Sequence, residues 1–365
     1  MHTSIEVKFL DLSLCENERS QILSSIDSIL KSGKLVLGPE VSKLEKSIAE
    51  YANRLYCVGV NSGSSALYLA LRALDISVGD EVITSSLSWI ATANSIALTG
   101  ATPVFSDIEK DLNMDIHSIE RLITKKTKAV LAVDYTGRLA DAKALSALCK
   151  HYSLDLIEDG SQSFGACRDG IRCGEYGVVS AISHNAMKVF SSIGEAGSIL
   201  TNDQELCNRL ESLRYNGTVN KEFLAEPSIN ARMDTIQAAV LGIRLRKVDS
   251  IVARRNRNAD LYDQLVLSSS VVKPQRRPNQ THALYTYTIL ADRRDELMDY
   301  LLSYNIETKI QHPVLMPHQK PYLQCMSETR VAKELSNKYL CLPIHEKLTE
   351  DQIAYVSEKI NEFYT

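Results

Sequence analysis

The lysine at position 188 lies where an amine could act as a nucleophile. It belongs to the segment SHNAMKVFSSIGEAG (183–197), between two apolar stretches that predict strands, with Met187, Val189 and Phe190 as neighbours. Most lysines stay solvated at the surface, but an apolar setting disfavours the ammonium form and lowers the pKa of the amine. The neutral amine can then attack an aldehyde. Lys188 is therefore the leading candidate for covalent catalysis.

An acidic side chain follows the apolar stretch LDLI (154–157) in the segment IEDGSQSFGA. Open α/β sheets bind ligands at the carboxyl ends of their strands, so Asp159 could contact a ligand there. A carboxylate in this place can pair with a protonated pyridine nitrogen and make pyridoxal phosphate (PLP) a better electron sink. The alternative is an Asp that caps the following turn. Gln162, three residues on, could contact a ring oxygen or face solvent.

A phosphate site is suggested by the segment NSGSSALYLAL (61–71), in which a Gly/Ser turn precedes a helix. The free N–H groups at that helix start, with Ser hydroxyls beside them, would suit an anion. Ser and Gly at this position more often form only an N-cap, and that reading stays open. Ser183, five residues before Lys188, could also donate to a phosphate.

Trp89 is the only tryptophan of the chain and follows the apolar stretch EVIT (81–84). An aromatic ring at the end of a strand could stack on a planar cofactor. A tryptophan in the core or in an interface is an equally good reading of the sequence.

The elements that must position these residues alternate between short apolar strands and helices. Helices are predicted over 64–74 and 141–152, and the alternation favours a largely parallel sheet with helices on both faces. The predicted strands are 56–60, 81–84, 102–105, 129–133, 154–157, 178–182 and 197–200.

The second part of the chain has a different pattern. One long charged helix is predicted over 232–267, then a strand (282–290), a helix (292–305), a strand ETKIQH (307–312) and a terminal helix (349–364) with Thr349 at its capped start. We expect the basic side chains of the long helix to form a solvated face rather than a phosphate site: Arg244, Arg246, Lys247, Arg254, Arg255 and Arg257.

The predicted organisation is α/β, with a large domain over 1–250 that includes a helix at 17–31, and a smaller C-terminal α+β domain over 251–365.

Composition narrows the functional classes. The net charge of -4 at pH 7 gives no reason to expect a nucleic-acid or anionic-membrane partner. The N-terminus lacks the pattern of a secretion signal, and no apolar run approaches the roughly 20 residues of a membrane span, so we expect a cytoplasmic protein. The eight cysteines are scattered without a C-x-x-C pair, which predicts reduced thiols and no metal site.

Six segments in fixed order carry a family resemblance that covers 35–356 and is strongest over 57–237. They are GPEV, NSGSSAL, GDEVITSSLSWIATANSI, IEDGSQSFGA, Lys188 followed by GEAG, and NARMDTIQAA. Each is weak alone, but the ordered set resembles the DegT–StrS family of PLP-dependent sugar aminotransferases. That family has the aspartate aminotransferase fold (fold type I), with a mostly parallel seven-stranded sheet in its large domain.

The resemblance implies roles for the residues that face the cofactor ring. Lys188 matches the lysine that holds PLP as a Schiff base and moves the proton of the substrate carbon. Asp159 matches the acid that pairs with the pyridine nitrogen. Gln162 matches a residue near the phenolic oxygen, and Trp89 matches the aromatic ring that stacks on the cofactor.

The resemblance also implies how the cofactor phosphate is held. Gly63, Ser64 and Ser183 match the phosphate cradle. Asn230 matches an asparagine that reaches the phosphate of the neighbouring subunit. A homodimer with active sites at its interface is therefore expected.

The implied reaction transfers an amino group from an amino acid, with L-glutamate as the expected donor, to a nucleotide-linked keto-deoxysugar for surface polysaccharide or glycoconjugate synthesis. Family members with histidine in place of the lysine are dehydratases, so Lys188 favours transamination. Gln311 and His312 stand where the family often has His-Tyr, and the histidine that the family often has near the position of Asp134 is absent, which leaves the acceptor open. The alternatives are another ketone as acceptor (a cyclitol or a small phosphorylated ketone), a sugar dehydratase, and a non-catalytic regulator.

Overall fold

The computed structural model describes residues 5–220, 222–276 and 278–365. The helices of these ranges are α1 Glu16–Ser32, α2 Pro39–Tyr51, α3 Gly63–Ala73, α4 Ala91–Leu98, α5 Ile116–Leu122, α6 Ala142–Tyr152, α7 Gln204–Arg214, α8 Thr235–Leu245, α9 Val248–Leu265, α10 Arg294–Ser303, α11 Arg330–Ser336 and α12 Glu350–Phe363. The strands are β1 Tyr56–Val60, β2 Glu81–Ser85, β3 Thr102–Ser106, β4 Thr127–Val133, β5 Asp155–Asp159, β6 Cys167–Arg168, β7 Ile171–Arg172, β8 Val179–Ser183, β9 Gly197–Thr201, β10 Thr218–Val219, β11 Phe223–Leu224, β12 Val271–Val272, β13 Gln280–Thr281, β14 Tyr287–Ala291 and β15 Tyr339–Leu342.

The large sheet has seven strands in the order β1-β9-β8-β5-β4-β2-β3, and only β9 runs antiparallel to its neighbours. The predicted mostly parallel seven-stranded sheet is thus confirmed. In the register of β4, β5 and β8, Asp159 pairs with Val133 and with Ala181. The carboxyl ends of these three strands therefore meet at one edge of the sheet.

Helices cover both faces of this sheet because its strands are apolar on both faces. Along β4, Val130 and Ala132 belong to the core that contains Leu44 of α2, whereas Ala129 and Leu131 belong to the core that α3 fills. Successive residues of a strand point to opposite faces, so one apolar run supplies both cores.

The predicted long helix is two helices, α8 and α9, separated at Arg246 and Lys247. Arg244 and Lys247 both donate to the carboxylate of Glu18 in α1, at 2.8 Å and 3.0 Å. Arg255 is buried and pairs with Glu346 at 2.9 Å. The predicted solvated face is therefore wrong for these three residues, because acidic groups from distant segments pair with them.

The remaining basic residues of that face, Arg246, Arg254 and Arg257, are exposed as expected.

The small C-terminal sheet consists of β12, β14 and β15, all antiparallel, packed with α9, α10 and α12. The predicted strand at 307–312 is wrong: Lys309 forms only an isolated bridge with Cys341, and Tyr339–Leu342 supplies the third strand instead. The strand does not continue past Lys309, because the His312 N–H donates to the Tyr339 side-chain hydroxyl rather than to a strand carbonyl, and Lys309 and His312 line a cleft against the large sheet.

The helix that ends the chain is capped as predicted. Thr349 accepts a hydrogen bond from the Gln352 N–H at 3.2 Å, and the Gln352 side chain accepts one from the Thr349 N–H at 3.1 Å. Val7, near the start of the chain, forms a bridge with Ile306 and is buried in the small core. The proposed boundary between 1–250 and 251–365 falls inside α9 and stays a prediction.

Within the described ranges, no helix has the length and apolar character that crossing a membrane requires.

Candidate functional site

Lys188 lies in the loop that joins β8 to β9. The loop is closed at its base, because His184 N–H donates to Ala196 O and Ser192 N–H donates to His184 O, both at 2.8 Å. The Lys188 Nζ atom lies 4.5 Å from the ring centroid of Tyr285. Burial lowers the pKa of Lys188 to about 8, although the charges of Asp159 and Glu195 act in the opposite direction. The apolar setting thus makes the neutral amine accessible.

Asp159 ends β5 and is buried, with 4% of its surface exposed. Its Oδ2 accepts a hydrogen bond from the Thr92 hydroxyl at 2.9 Å, and its Oδ1 accepts one from the Ser161 N–H at 3.2 Å. Two donors from different segments fix the carboxylate beside the Lys188 loop. Thr92 belongs to the same segment as Trp89. It was not predicted as a site residue, because the sequence does not show its contact with Asp159.

The turn before α3 and the end of β8 are in direct contact. Ser62 caps α3 by accepting the Ser65 N–H at 3.1 Å, so the N–H groups of Gly63 and Ser64 have no carbonyl within the helix to satisfy them. A Cβ atom on Gly63 would lie 2.4 Å from Cβ of Ser183. Only glycine allows this approach, which brings the helix start and the Ser183 hydroxyl to one small cradle.

Gln162 and Trp89, which are predicted to contact a cofactor ring, both line the cleft that also contains Lys188. The Gln162 amide oxygen accepts the N–H of Thr136 at 2.9 Å, which orients the buried side chain. Trp89 is 59% exposed, so it is not a core tryptophan, and its ring centroid lies 5.9 Å from that of His312.

One cavity of about 380 Å³ contains most of the predicted site. This volume is typical of small-molecule sites. The predicted residues that line it are Gly63, Ser64, Trp89, Asp159, Gln162, Ser183 and Lys188.

Several lining residues were not predicted as site residues. The chemically relevant ones are Thr92, Asn185, Glu195, Tyr285, Lys309 and His312. Tyr285, Lys309 and His312 come from the C-terminal part of the chain, and no local spacing connects them to Lys188. Only the departure from the family pattern at Gln311 and His312 pointed to this segment.

Asn230 is the predicted site residue that the structure does not bring to this cavity. It is exposed, and its amide oxygen accepts the Nε–H of Arg232 at 2.8 Å. Its backbone forms a bridge with Tyr215. Asn230 is therefore not part of the cavity in its own chain.

Two buried carboxyl groups lie behind Asp159. Asp134 accepts hydrogen bonds from Ala140 N–H at 2.8 Å and from the Tyr176 hydroxyl at 2.7 Å, and its own N–H donates to Asp159 O. Burial raises the pKa of Asp134 well above its usual value, and the adjacent Glu158 charge raises it further. Burial also raises the pKa of Glu158, so both carboxyl groups keep their protons to higher pH than they would in water.

Cys173 lies with this pair, and ligand atoms of the three side chains are within 4.8 Å of one another. The expectation that the protein binds no metal stays a prediction.

Comparison with known proteins gives a consistent result. Residues 16–361 match the model of the DegT/DnrJ/EryC1/StrS aminotransferase family. A pleiotropic regulatory protein of Geobacillus stearothermophilus is 35% identical over 99% of this chain and 99% of its own length. A dTDP-3-amino-3,6-dideoxy-alpha-D-galactopyranose transaminase of Aneurinibacillus thermoaerophilus is 33% identical over 98% of this chain and 99% of its own length.

A solved structure shows the same fold. DesV from S. venezuelae, in complex with a ketimine intermediate, superimposes with a TM-score of 0.95 at 35% identity and covers 98% of both chains. The sheet, the cavity around Lys188 and these similarities agree: the chain belongs to the DegT/DnrJ/EryC1/StrS aminotransferase family, with the fold of PLP-dependent fold type I enzymes.

Proposed function

We propose that this protein uses PLP to transfer an amino group from L-glutamate to a nucleotide-linked keto-deoxysugar. The observation that carries the proposal is Lys188, whose pKa is lowered to about 8, in one cavity with Asp159, Trp89 and an anion cradle. At pH 7 a lysine with this pKa is neutral in about a tenth of the molecules, far more than a solvated lysine.

The residues present fit PLP. The cradle of Gly63, Ser64 and Ser183 suits its phosphate, because a side chain on Gly63 would fill the space next to Ser183. Asp159, held by Thr92, would keep a proton on the pyridine nitrogen. The bound cofactor supplies an electron sink that stabilises negative charge on the substrate carbon. Trp89 would cover one face of the ring and limit access of water.

Lys188 moves the protons of the reaction. Once its amine is free, Nζ accepts the proton from the α-carbon of the donor, and in the second half of the reaction it returns a proton to the acceptor carbon. Lowering of the pKa by burial suits both directions, because the amine can bind and release a proton near neutral pH.

The substrates are proposed from the cavity and the relatives. Lys188 and Lys309 are the lysines among the described lining residues of the cavity, which include no arginine. Lys309 would bind an anionic group of a substrate. The transaminase of Aneurinibacillus supports a nucleotide-sugar substrate, and surface polysaccharide or glycoconjugate synthesis would use the product.

A homodimer in the cytoplasm completes the proposal. Asn230 lies outside the cavity of its own chain, and the β10–β11 hairpin exposes Phe223 (70%) and Leu224 (64%), as expected of an interface. All eight cysteines lie in the described ranges and are free thiols, which suits a reducing compartment.

The Lys188→Ala variant tests the proposal. Wild-type protein loaded with PLP should convert L-glutamate and a nucleotide-linked keto-sugar, and the variant should lose turnover and the visible absorbance of lysine-bound cofactor. Lys150→Ala, at the exposed end of α6, is the control and should behave as wild type. A Lys188→Ala protein that transaminates at the normal rate contradicts the proposal. Cyclitol ketones and phosphorylated ketones in the same assay distinguish the alternative acceptors.

A regulatory role is the second candidate, because the Geobacillus relative is named as a regulatory protein. A regulator that does not turn over has no need of a lysine with a lowered pKa beside a fixed carboxylate. A chain that takes up no PLP and transfers no amino group would favour this candidate.

A further inference from the structure

His312 closes the cavity, and one of its two ring nitrogens is already engaged. Its Nδ1 atom lies 2.7 Å from the hydroxyl oxygen of Tyr135. Its Nε2 atom forms no hydrogen bond among the described residues and is not a fully buried atom, whereas the side chain lines the cavity. Nε2 is therefore the ring nitrogen available to a bound molecule.

Tyr135 determines which nitrogen carries the proton. It is only 2% exposed, and burial raises the pKa of its phenol well above the ordinary value, so the hydroxyl keeps its proton. A buried hydroxyl needs an acceptor, and Nδ1 of His312 lies at an ideal distance. A neutral imidazole has one donor and one acceptor nitrogen. If Nδ1 accepts, the proton of the ring is on Nε2.

Tyr339 holds the backbone of His312 and lies near Tyr135. Its hydroxyl donates to His312 O at 2.5 Å and accepts the His312 N–H at 3.0 Å. Its own proton is thus used on the carbonyl. In the opposite arrangement the Tyr135 hydroxyl would donate to Tyr339 and Nδ1 would carry a proton. The geometry favours the first arrangement, because the Tyr135 hydroxyl forms a hydrogen bond with Nδ1 but none with the Tyr339 hydroxyl among the described residues.

The imidazole also stays uncharged. Burial, and the positive charges of Lys188 and Lys309, lower the pKa of His312 to about 3. The ring is therefore neutral across the physiological range, and its N–H does not depend on pH there. A donor of this kind suits an uncharged sugar oxygen, whereas the ammonium of Lys309 on the same wall suits an anion.

We propose that Tyr135 fixes His312 in the tautomer that carries its proton on Nε2, and that this N–H donates a hydrogen bond to a hydroxyl or carbonyl oxygen of the keto acceptor. The identity of the ligand rests on the proposed function, but the tautomer does not. His312 is then a specificity-determining residue for the acceptor, and Tyr135 is a positioning residue.

Nitrogen NMR tests the tautomer without any turnover. In PLP-loaded protein labelled with 15N-histidine, a correlation through two bonds distinguishes a protonated ring nitrogen from an unprotonated one. The eight histidines require an assignment, which the His312→Asn variant provides. We expect His312 to be neutral with its proton on Nε2, and Tyr135→Phe to produce a mixture of tautomers.

Tyr322→Phe is the matched control, because the Tyr322 hydroxyl donates to Asn94 at 2.6 Å and does not contact His312. It should leave the His312 signals unchanged. A proton on Nδ1 in the wild type, or an unchanged spectrum in Tyr135→Phe, overturns the tautomer.

The two half-reactions test recognition. We expect Tyr135→Phe to raise KM for the keto-sugar by roughly three- to tenfold, as for the loss of one hydrogen bond, with a smaller effect on the half-reaction with L-glutamate. An Nε2 proton without this difference between the half-reactions overturns the role in acceptor recognition. A wild-type protein that transfers no amino group refutes the proposed function instead, and the NMR result is independent of it.

Discussion

Burial, rather than a neighbouring base, gives Lys188 its reactivity. The nearest charges, Asp159 and Glu195, act to raise the pKa of the amine, and burial more than offsets them. The same low-dielectric surroundings act on acids in the opposite sense. Burial raises the pKa of Asp134, behind Asp159, well above its usual value, and it raises the pKa of the adjacent Glu158 as well. Burial thus keeps both groups closer to neutral than they would be in water.

The Asp134–Glu158 pair predicts how stability depends on pH. The pKa of Asp134 is raised in the folded protein, so the folded form keeps its proton to higher pH than the unfolded chain, which ionises above about pH 4. Its contribution to stability is therefore fully present at low pH and is lost as pH rises toward its folded pKa. Asp134→Asn mimics the protonated form. Above about pH 4, and up to the folded pKa of Asp134, its stability relative to wild type should therefore rise by up to about 1.4 kcal/mol per pH unit.

Thermal or urea unfolding at several pH values measures this difference. Asp27→Asn, at an exposed position in α1, is the control and should give a curve parallel to wild type. Parallel curves for wild type and Asp134→Asn would show that Asp134 is ionised in the folded protein.

At the scale of elements, the site depends on a close contact between the turn before α3 and the ends of β8 and β9. Glycines at the contact points allow this approach. The turn before α3 meets the end of β8 at Gly63, and it meets the start of β9 at Gly197, where a Cβ atom would lie 2.4 Å from Ser62 O. The cradle is therefore a product of strand order: β1, β9 and β8 are adjacent in the sheet.

Gly63→Ala should disturb this contact. The added methyl group has to displace Ser183, and we expect a loss of about 1–3 kcal/mol in the free energy of unfolding and weaker binding of PLP.

Gly242→Ala in α8 is the matched control, because no atom of the described residues lies within 4 Å of its Cβ position. It should stabilise the helix by up to about 1 kcal/mol and leave PLP affinity unchanged. Unfolding curves and PLP titrations of both variants measure the two effects. Equal PLP affinity in Gly63→Ala and wild type would contradict the cradle.

At the scale of the molecule, the position of Asn230 makes the proposed dimer testable by complementation. Lys188→Ala removes the amine of one cavity, and Asn230→Asp would place a carboxylate near the cofactor phosphate of the other. Each variant alone should be inactive or nearly so. In a mixed dimer both defects fall in one site, and the other site is intact.

Equal co-expression gives mixed dimers in half of the population, so about a quarter of wild-type activity should return. Separately tagged subunits and two-step purification provide the measurement. If purified mixed dimers are as inactive as the parents, Asn230 acts within its own chain. If Asn230→Asp alone is as active as wild type, Asn230 has no part in the site.

The sequence by itself determined the sheet and the order of the motifs. Each of the seven strands is a short apolar run bounded by turns, and two-sided burial is the only arrangement that removes such a run from water. For the same reason Asp159 and the Lys188 loop could be placed at strand ends. The residues Gly63, Ser64, Ser183, Trp89 and Gln162 were identified because they belong to local segments with recognisable patterns.

Only the tertiary structure decided which C-terminal residues line the cavity and which basic side chains of segment 232–267 are paired with acids. Tyr285, Lys309 and His312 reach Lys188 from about 100 residues away or more, and contacts over such distances leave no periodicity in the sequence. The predicted strand at 307–312 is wrong because only Lys309 pairs with Cys341 of β15, and the His312 N–H is bound by a side-chain hydroxyl. The basic face of 232–267 was misread at Arg244, Lys247 and Arg255, because local patterns give spacing but do not show which distant carboxylate will neutralise a charge.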